Sequence, residues 1–227
     1  MMMNWLKTLT VKPWIAEQAE PHGETRLVVQ GQDASKLTAF KFCLAVVTVI
    51  FFLFTITFIQ RTQSFDFQPL AGEAWLPFTD TSLLWRSTIL LALASLALQL
   101  AIWQARKDQV NRLMLSLLFA NLLAFAFLIS QLHIWQYLEV TGFGLTLNPA
   151  NSYFYLFTLM HGLHLMIGLY VLLTVTFRAV LRQAQELINL RLATMYFHFM
   201  LGIWLFLFAL VTQDAATFKL IASICGF

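Results

Sequence analysis

Between Val140 and Phe177 the chain carries no charged side chain, and four further uncharged, largely apolar stretches are spaced through the remainder. A helix crosses the hydrocarbon core of a bilayer in about 20 predominantly apolar residues. Stretches of this kind therefore constrain the fold before anything else does. Composition agrees: 59% of the residues are hydrophobic and 11% are charged, against about 25% charged in soluble domains. So few charges cannot cover a surface that faces water. With a mean hydropathy of +0.73, lipid must be the solvent for much of the chain.

The first span runs from Phe42 to Ile59, between Lys41 and Arg61, and the second from Ser87 to Ala105, between Arg86 and Arg106. A third covers Leu113 to Leu138, between Arg112 and Glu139. The uncharged stretch from Val140 is too long for one crossing. Asn148-Pro149-Ala150-Asn151 divides it, because the residue before a proline is driven out of helical geometry. The fourth span is then Ser152 to Phe177, and the fifth runs from Leu192 to Gln213. Leu220 to Phe227 is too short to cross.

The expected fold is an all-α integral membrane protein with a five-helix bundle over residues 37–213. An N-terminal tail (1–36) and a short C-terminal tail (214–227) flank it. Pro13, Pro21, Gly23 and Gly31 are expected to break any long helix in the first tail, and Trp5 and Trp14 suit the headgroup zone. No signal peptide is evident in that tail, so the first apolar helix is expected to act as the insertion signal.

Basic residues orient the chain. Lys7, Lys12, Arg26, Lys36 and Lys41 lie before the first span; Arg106, Lys107 and Arg112 follow the second; Arg178, Arg182 and Arg191 follow the fourth. Only Arg61, Arg86 and Lys219 fall on the other side. This asymmetry predicts the N-terminus inside and the C-terminus outside. It also accounts for the net charge of +3 without a nucleic-acid partner. The two cysteines, Cys43 and Cys225, are far apart and lack metal or disulfide spacing.

Ionisable residues within spans are candidates for function. Here they are all histidines: His133, His161, His164 and His198. No Asp or Glu lies within a span, which argues against ion-coupled transport by this chain alone. His161 and His164 are three residues apart, on one helical face. Such a pair can serve metal or haem ligation, or hydrogen bonding between helices. The lack of a nearby general base favours the second.

Gly168 lies two turns beyond His161, and Gly202 one turn beyond His198. Gly168 lies ten residues from Arg178 and Gly202 eleven from Arg191, which predicts that the two glycines meet at one depth and let antiparallel helices approach closely. Asn121, Gln131 and His161 give their helices polar faces that lipid cannot satisfy, so a protein neighbour is expected to cover them.

The segment Ala150-Asn-Ser-Tyr-Phe-Tyr-Leu-Phe-Thr-Leu-Met-His-Gly-Leu-His-Leu-Met-Ile-Gly168 resembles the loop and helix of haem-copper oxidase subunit III that carry His-Gly-Leu-His. Tyr196-Phe197-His198-Phe199 and Ile203-Trp204-Leu205-Phe206-Leu207-Phe208 are similar to the last-helix signature of that family. Leu84-Trp85-Arg86-Ser87-Thr88 is similar to the opening of an earlier helix. Phe197 stands where the family has tryptophan, and Leu201 where it often has aspartate. Five helices match the shorter bacterial form.

The resemblance implies an accessory, non-catalytic subunit of a terminal respiratory oxidase, using cytochrome c or quinol, in the bacterial plasma membrane. It would pack on the catalytic subunit, bind phospholipid and support sustained proton uptake. Haem and copper would sit in partner subunits, with none in this chain. Subunits I and II, and a small subunit IV, are the implied partners. His161, His164, Gly168, His198, Gly202 and Trp204 are then structural or lipid-contact residues, with no catalytic, cofactor or metal role. Two other readings stand beside this one. A subunit III-like component of a nitric oxide reductase would share these motifs. A haem-binding membrane anchor would use the histidines as ligands, which an absorption spectrum distinguishes.

Overall fold

A computed structural model of the chain describes residues 21–71, 76–78, 81–182 and 187–225, with the side chains of 21–33, 182, 221, 222, 224 and 225 outside the description. The tail positions Trp5, Pro13 and Trp14 lie outside the described residues, as do the side chains of Arg26, Arg182 and Cys225. Among the described residues the regular structure is helical: α1 (Pro21–Arg61), α2 (Ser82–Ala105), α3 (Val110–Val140), α4 (Pro149–Arg182), α5 (Leu187–Val211) and α6 (Ala215–Cys225). Five of these, α1 through its part Ala34–Arg61, are long and apolar enough to cross a membrane.

The expectation that Pro21, Gly23 and Gly31 interrupt a helix is corrected, because the backbone is helical from Pro21 onward. Proline is tolerated at the first helical position, where its missing N–H would have no intrahelical acceptor. Each internal glycine costs about 1 kcal/mol, which cooperative extension of the apolar helix behind it can absorb. The other helices also begin before their predicted spans, although α5 ends at Val211, short of the predicted Gln213. At 31 residues, α3 is about 46 Å long, against about 30 Å of hydrocarbon. Its ends, with Arg112 and Glu139, therefore reach beyond the hydrocarbon layer.

Residues 1–42 and 43–227 form two units. In the first, the described part is the beginning of α1, where Thr38 Oγ1 donates to the Ala34 carbonyl at 3.0 Å. The second contains the bundle. Within it α2 packs on α3, α3 on α4, α4 on α5, and α5 back on α2, closing a ring of four helices. Small residues make the α2–α3 contact close: Ala94, Ala101, Ala120 and Ala124 are fully buried. In lipid, where burying apolar surface gains little, such close approach is what binds helices.

From residue 43, α1 meets this ring through side chains on α4. Phe58 lies 5.3 Å from Tyr153 and 5.8 Å from Phe157, ring centre to ring centre. Phe218 of α6 closes the cluster at 5.5 Å from Phe58. The C-terminal tail is thus a helix with one side chain anchored in the bundle. Asp214 caps it: the Thr217 N–H donates to Oδ1 at 2.9 Å. Hydrogen bonds from the Thr217 side chain and backbone hold the Asp214 carboxyl below its ordinary pKa.

Two turns fix the hairpins. Gly142 ends α3 at φ +87°, a left-handed conformation that glycine adopts without strain. At the start of α4, Asn148 Oδ1 accepts the Ala150 N–H at 3.1 Å while Nδ2 donates to the Gln68 carbonyl at 2.6 Å. Asn148-Pro149 therefore does divide the uncharged stretch. It does so as a helix start that is also tied to the loop after α1.

Candidate functional site: a hydrogen-bonded seam through the bundle

His161 is fully buried on α4. Its Nε2 lies 3.1 Å from the Met200 carbonyl of α5. A carbonyl can only accept, so Nε2 carries the hydrogen and the ring joins α4 to α5 as a donor. Phe127 of α3 meets the imidazole edge to face at 5.6 Å, and Trp204 of α5 lies beside it at 5.3 Å. Trp204 in turn donates Nε1–H to Thr88 Oγ1 on α2 at 2.9 Å. Thr88 passes its own hydrogen to the Leu84 carbonyl at 2.8 Å. All four helices of the ring thus meet around His161 and Trp204.

The other histidines have separate surroundings. His164 donates from Nδ1 to the Met160 carbonyl one turn earlier, at 2.7 Å, and its ring lies 5.7 Å from Phe51 of α1. His198 shares a hydrogen bond of 2.6 Å between its Nδ1 and Ser95 Oγ of α2. His133 is exposed on α3. Although His161 and His164 are neighbours on one helix, the fold turns them to different partners. Among the described residues, no three of His, Cys, Asp and Glu are grouped so that they could hold a metal ion.

The glycine seam is corrected in one half. A Cβ on Gly168 would come within 2.6 Å of the Tyr196 ring, so this glycine is where α5 approaches α4. The same tyrosine donates its hydroxyl to the His164 carbonyl at 2.9 Å. Gly202 does not take part. It is exposed, with nothing within 4 Å of where its Cβ would stand. The expected match in depth is corrected as well: Gly168 is level with Tyr196, six residues before Gly202 on α5, and α5 turns the His198–Gly202 stripe away from α4.

Asn121, Gln131 and His161 are likewise corrected: all three are buried among this chain's own helices. Asn121 donates to Thr176 Oγ1 of α4 at 2.9 Å. The two amide atoms of Gln131 and His161 Nδ1 find no partner among the described residues. Thr88, Ser95, Thr158 and Thr176, the hydroxyl partners on neighbouring helices, were not singled out from sequence. Their one signal is position, on the inward face of an apolar helix.

A ring of membrane-length helices, joined by hydrogen bonds from His161, Trp204, Asn121 and Ser95, defines a multi-pass membrane protein built around a packed polar seam. Comparison with known proteins places it more closely. Residues 2–213 match the family model for cytochrome c oxidase subunit III, so the chain belongs to that family and is a subunit III of the respiratory terminal oxidases. It is 27% identical over 200 residues to cytochrome c oxidase subunit 3 of Bacillus subtilis (strain 168), covering 84% of this chain and 91% of that one. It is 36% identical over 81 residues to the same subunit of Thermostichus vulcanus, covering 34% of this chain and 40% of the relative. Membership implies a complex with other oxidase subunits.

Proposed function

We propose that the chain is an accessory, non-catalytic subunit III of the bacterial plasma membrane, packed on the catalytic subunit of an oxygen-reducing oxidase. The observation that carries this reading is the use made of the buried polar groups. His161, Trp204, Thr88 and Asn121 bond helix to helix, which serves a scaffold and leaves electron transfer to partner chains. Haem and copper then belong to subunits I and II.

One surface feature supports the phospholipid part of this reading. A groove of about 550 Å³ between α3 and α4 is lined by Leu118, Tyr170, Leu173 and Phe177, with Arg178 at its edge. An acyl chain suits the apolar walls, and an anionic headgroup suits the guanidinium. By covering its partner, the subunit shapes the cytoplasmic entrance for protons. Slow proton delivery would hold reactive oxygen intermediates at the partner's active site for longer, and self-damage would follow.

Oxygen consumption by matched preparations of equal haem content tests this. The complex stripped of this chain is expected to start at a near-normal rate and then to lose activity in fewer turnovers than the intact complex. An absent initial rate with intact haems would mean that the chain takes part in catalysis.

Orientation is part of the same proposal, supported by the eleven basic residues on one side against three on the other. Alkaline phosphatase folds only outside the cytoplasm, so fusion at the C-terminus should give an active enzyme. An inactive phosphatase, with an active cytoplasmic reporter at the same junction, reverses the orientation.

A further inference from the structure

Three polar atoms inside the ring have no partner among the described residues: Gln131 Nε2, Gln131 Oε1 and His161 Nδ1. Bulk water and lipid do not reach them, since Gln131 is 5% exposed and His161 is fully buried. A polar group left unpaired in such surroundings is costly. Two other buried oxygens, Asn121 Oδ1 and Asn151 Oδ1, are also unpaired. Each lies ten residues along its helix from Gln131 or His161, about 15 Å, and so belongs to another place.

Contacts on either side place Gln131 against His161. One turn before it on α3, Phe127 meets the His161 ring at 5.6 Å. One turn after it, Trp135 donates at 3.0 Å to Thr158 Oγ1, three residues before His161 on α4. Gln131, between these two aromatic residues, therefore faces the turn of α4 from Thr158 to His161. The donors around it are committed. Trp135 N–H serves Thr158, the Thr158 hydroxyl serves the Phe154 carbonyl, and Trp204 N–H serves Thr88. Because His161 Nε2 gives its hydrogen to the Met200 carbonyl, Nδ1 presents a lone pair and needs a donor. Of these side chains only the Gln131 amide has hydrogens to give. Turned directly onto Nδ1, it would leave its own oxygen without a donor.

We infer that one water molecule is bound inside the bundle between Gln131 and His161. Its oxygen accepts a hydrogen from Gln131 Nε2. One of its own hydrogens returns to Oε1 of the same amide, and the other goes to His161 Nδ1. Donors and acceptors then balance, because the site lacks two donors and one acceptor and a water supplies both kinds. Three bonds are also what a buried water ordinarily makes. A bare cation suits the site poorly, since no Asp or Glu within a span balances its charge. The water engages the second nitrogen of His161 and ties α3 into the α4–α5 seam through Gln131. It is a property of the bundle itself and does not rest on the accessory-subunit reading.

A structure of the protein as purified from its membrane, at a resolution where ordered waters are seen, tests the site directly. A single peak is expected within hydrogen-bonding distance of Gln131 Nε2, Gln131 Oε1 and His161 Nδ1. A direct bond between Gln131 and His161 with no peak between them overturns the inference. So does any other protein donor at Nδ1, from this chain or from a partner. Stability of the full chain in detergent supplies a second measurement. Gln131→Leu should lower the denaturant midpoint, because it removes the water's other anchor and leaves Nδ1 unpaired. With His161→Phe already in place, the same substitution should shift the midpoint little, since apolar groups then face each other. Equal shifts in the two backgrounds, of either sign, would show that the two side chains share nothing, and the inference would fail.

Discussion

Trp204→Ala should destabilise the bundle by about 3 kcal/mol, since a buried cavity costs about 24 cal/mol per Å³ and most of the indole volume would be left empty. The estimate uses the cavity contribution alone. In a bilayer the truncated side chain gains nothing from leaving water, because the unfolded reference also lies in hydrocarbon. Trp204 is 1% exposed and packs on Phe127, its ring centre 5.1 Å away, so the surroundings cannot easily collapse into the space. Its hydrogen bond matters less. Thr88→Val removes the acceptor but keeps the shape, and hydrogen bonds between transmembrane helices average about 0.6 kcal/mol. Denaturant titration of helicity in detergent measures both. A Thr88→Val loss as large as that of Trp204→Ala would show that the bond, not the packing, holds α5 to α2.

Gly168→Ala is expected to cost about 1–3 kcal/mol, the usual penalty for forcing extra volume into a packed contact. The new methyl would stand 2.6 Å from one Tyr196 ring carbon and 2.8 Å from another. That ring cannot swing aside freely, because its hydroxyl is bonded to the His164 carbonyl. The cost should therefore depend on the tyrosine. With Tyr196→Leu already in place, Gly168→Ala should lose most of its effect, a departure from additivity expected of residues in contact. Gly202→Ala should leave the isolated chain unharmed or slightly more stable, since alanine is favoured over glycine in a helix by about 1 kcal/mol. Equal effects at the two glycines would mean that α4 and α5 are rotated differently from the arrangement described here.

These predictions mark how far the residues alone could be read. His161, His164, Gly168, His198, Gly202 and Trp204 were all visible as unusual in an apolar context, and each lies within a helix where the sequence placed it. What each touches was not visible. His161 and His164 share a motif yet face α5 and α1, and Gly168 is packed while Gly202 is open. Ser95 drew no attention and Thr88 only as one residue of a family segment, although each holds a motif residue of α5 from across the seam.

The sequence by itself determined the number of spans, because charge is excluded from hydrocarbon at a cost that marks most boundaries; proline geometry marked the Asn148-Pro149 division, and local motifs marked the family. Tertiary structure alone decided the rotation of each helix. A helix that is apolar on all sides carries no stripe to say which face is inward. Only the meeting of particular side chains, such as Tyr196 over Gly168 or Trp204 against Thr88, sets the angle. The rotation of α4 buries His161, and that of α5 leaves His198 outward.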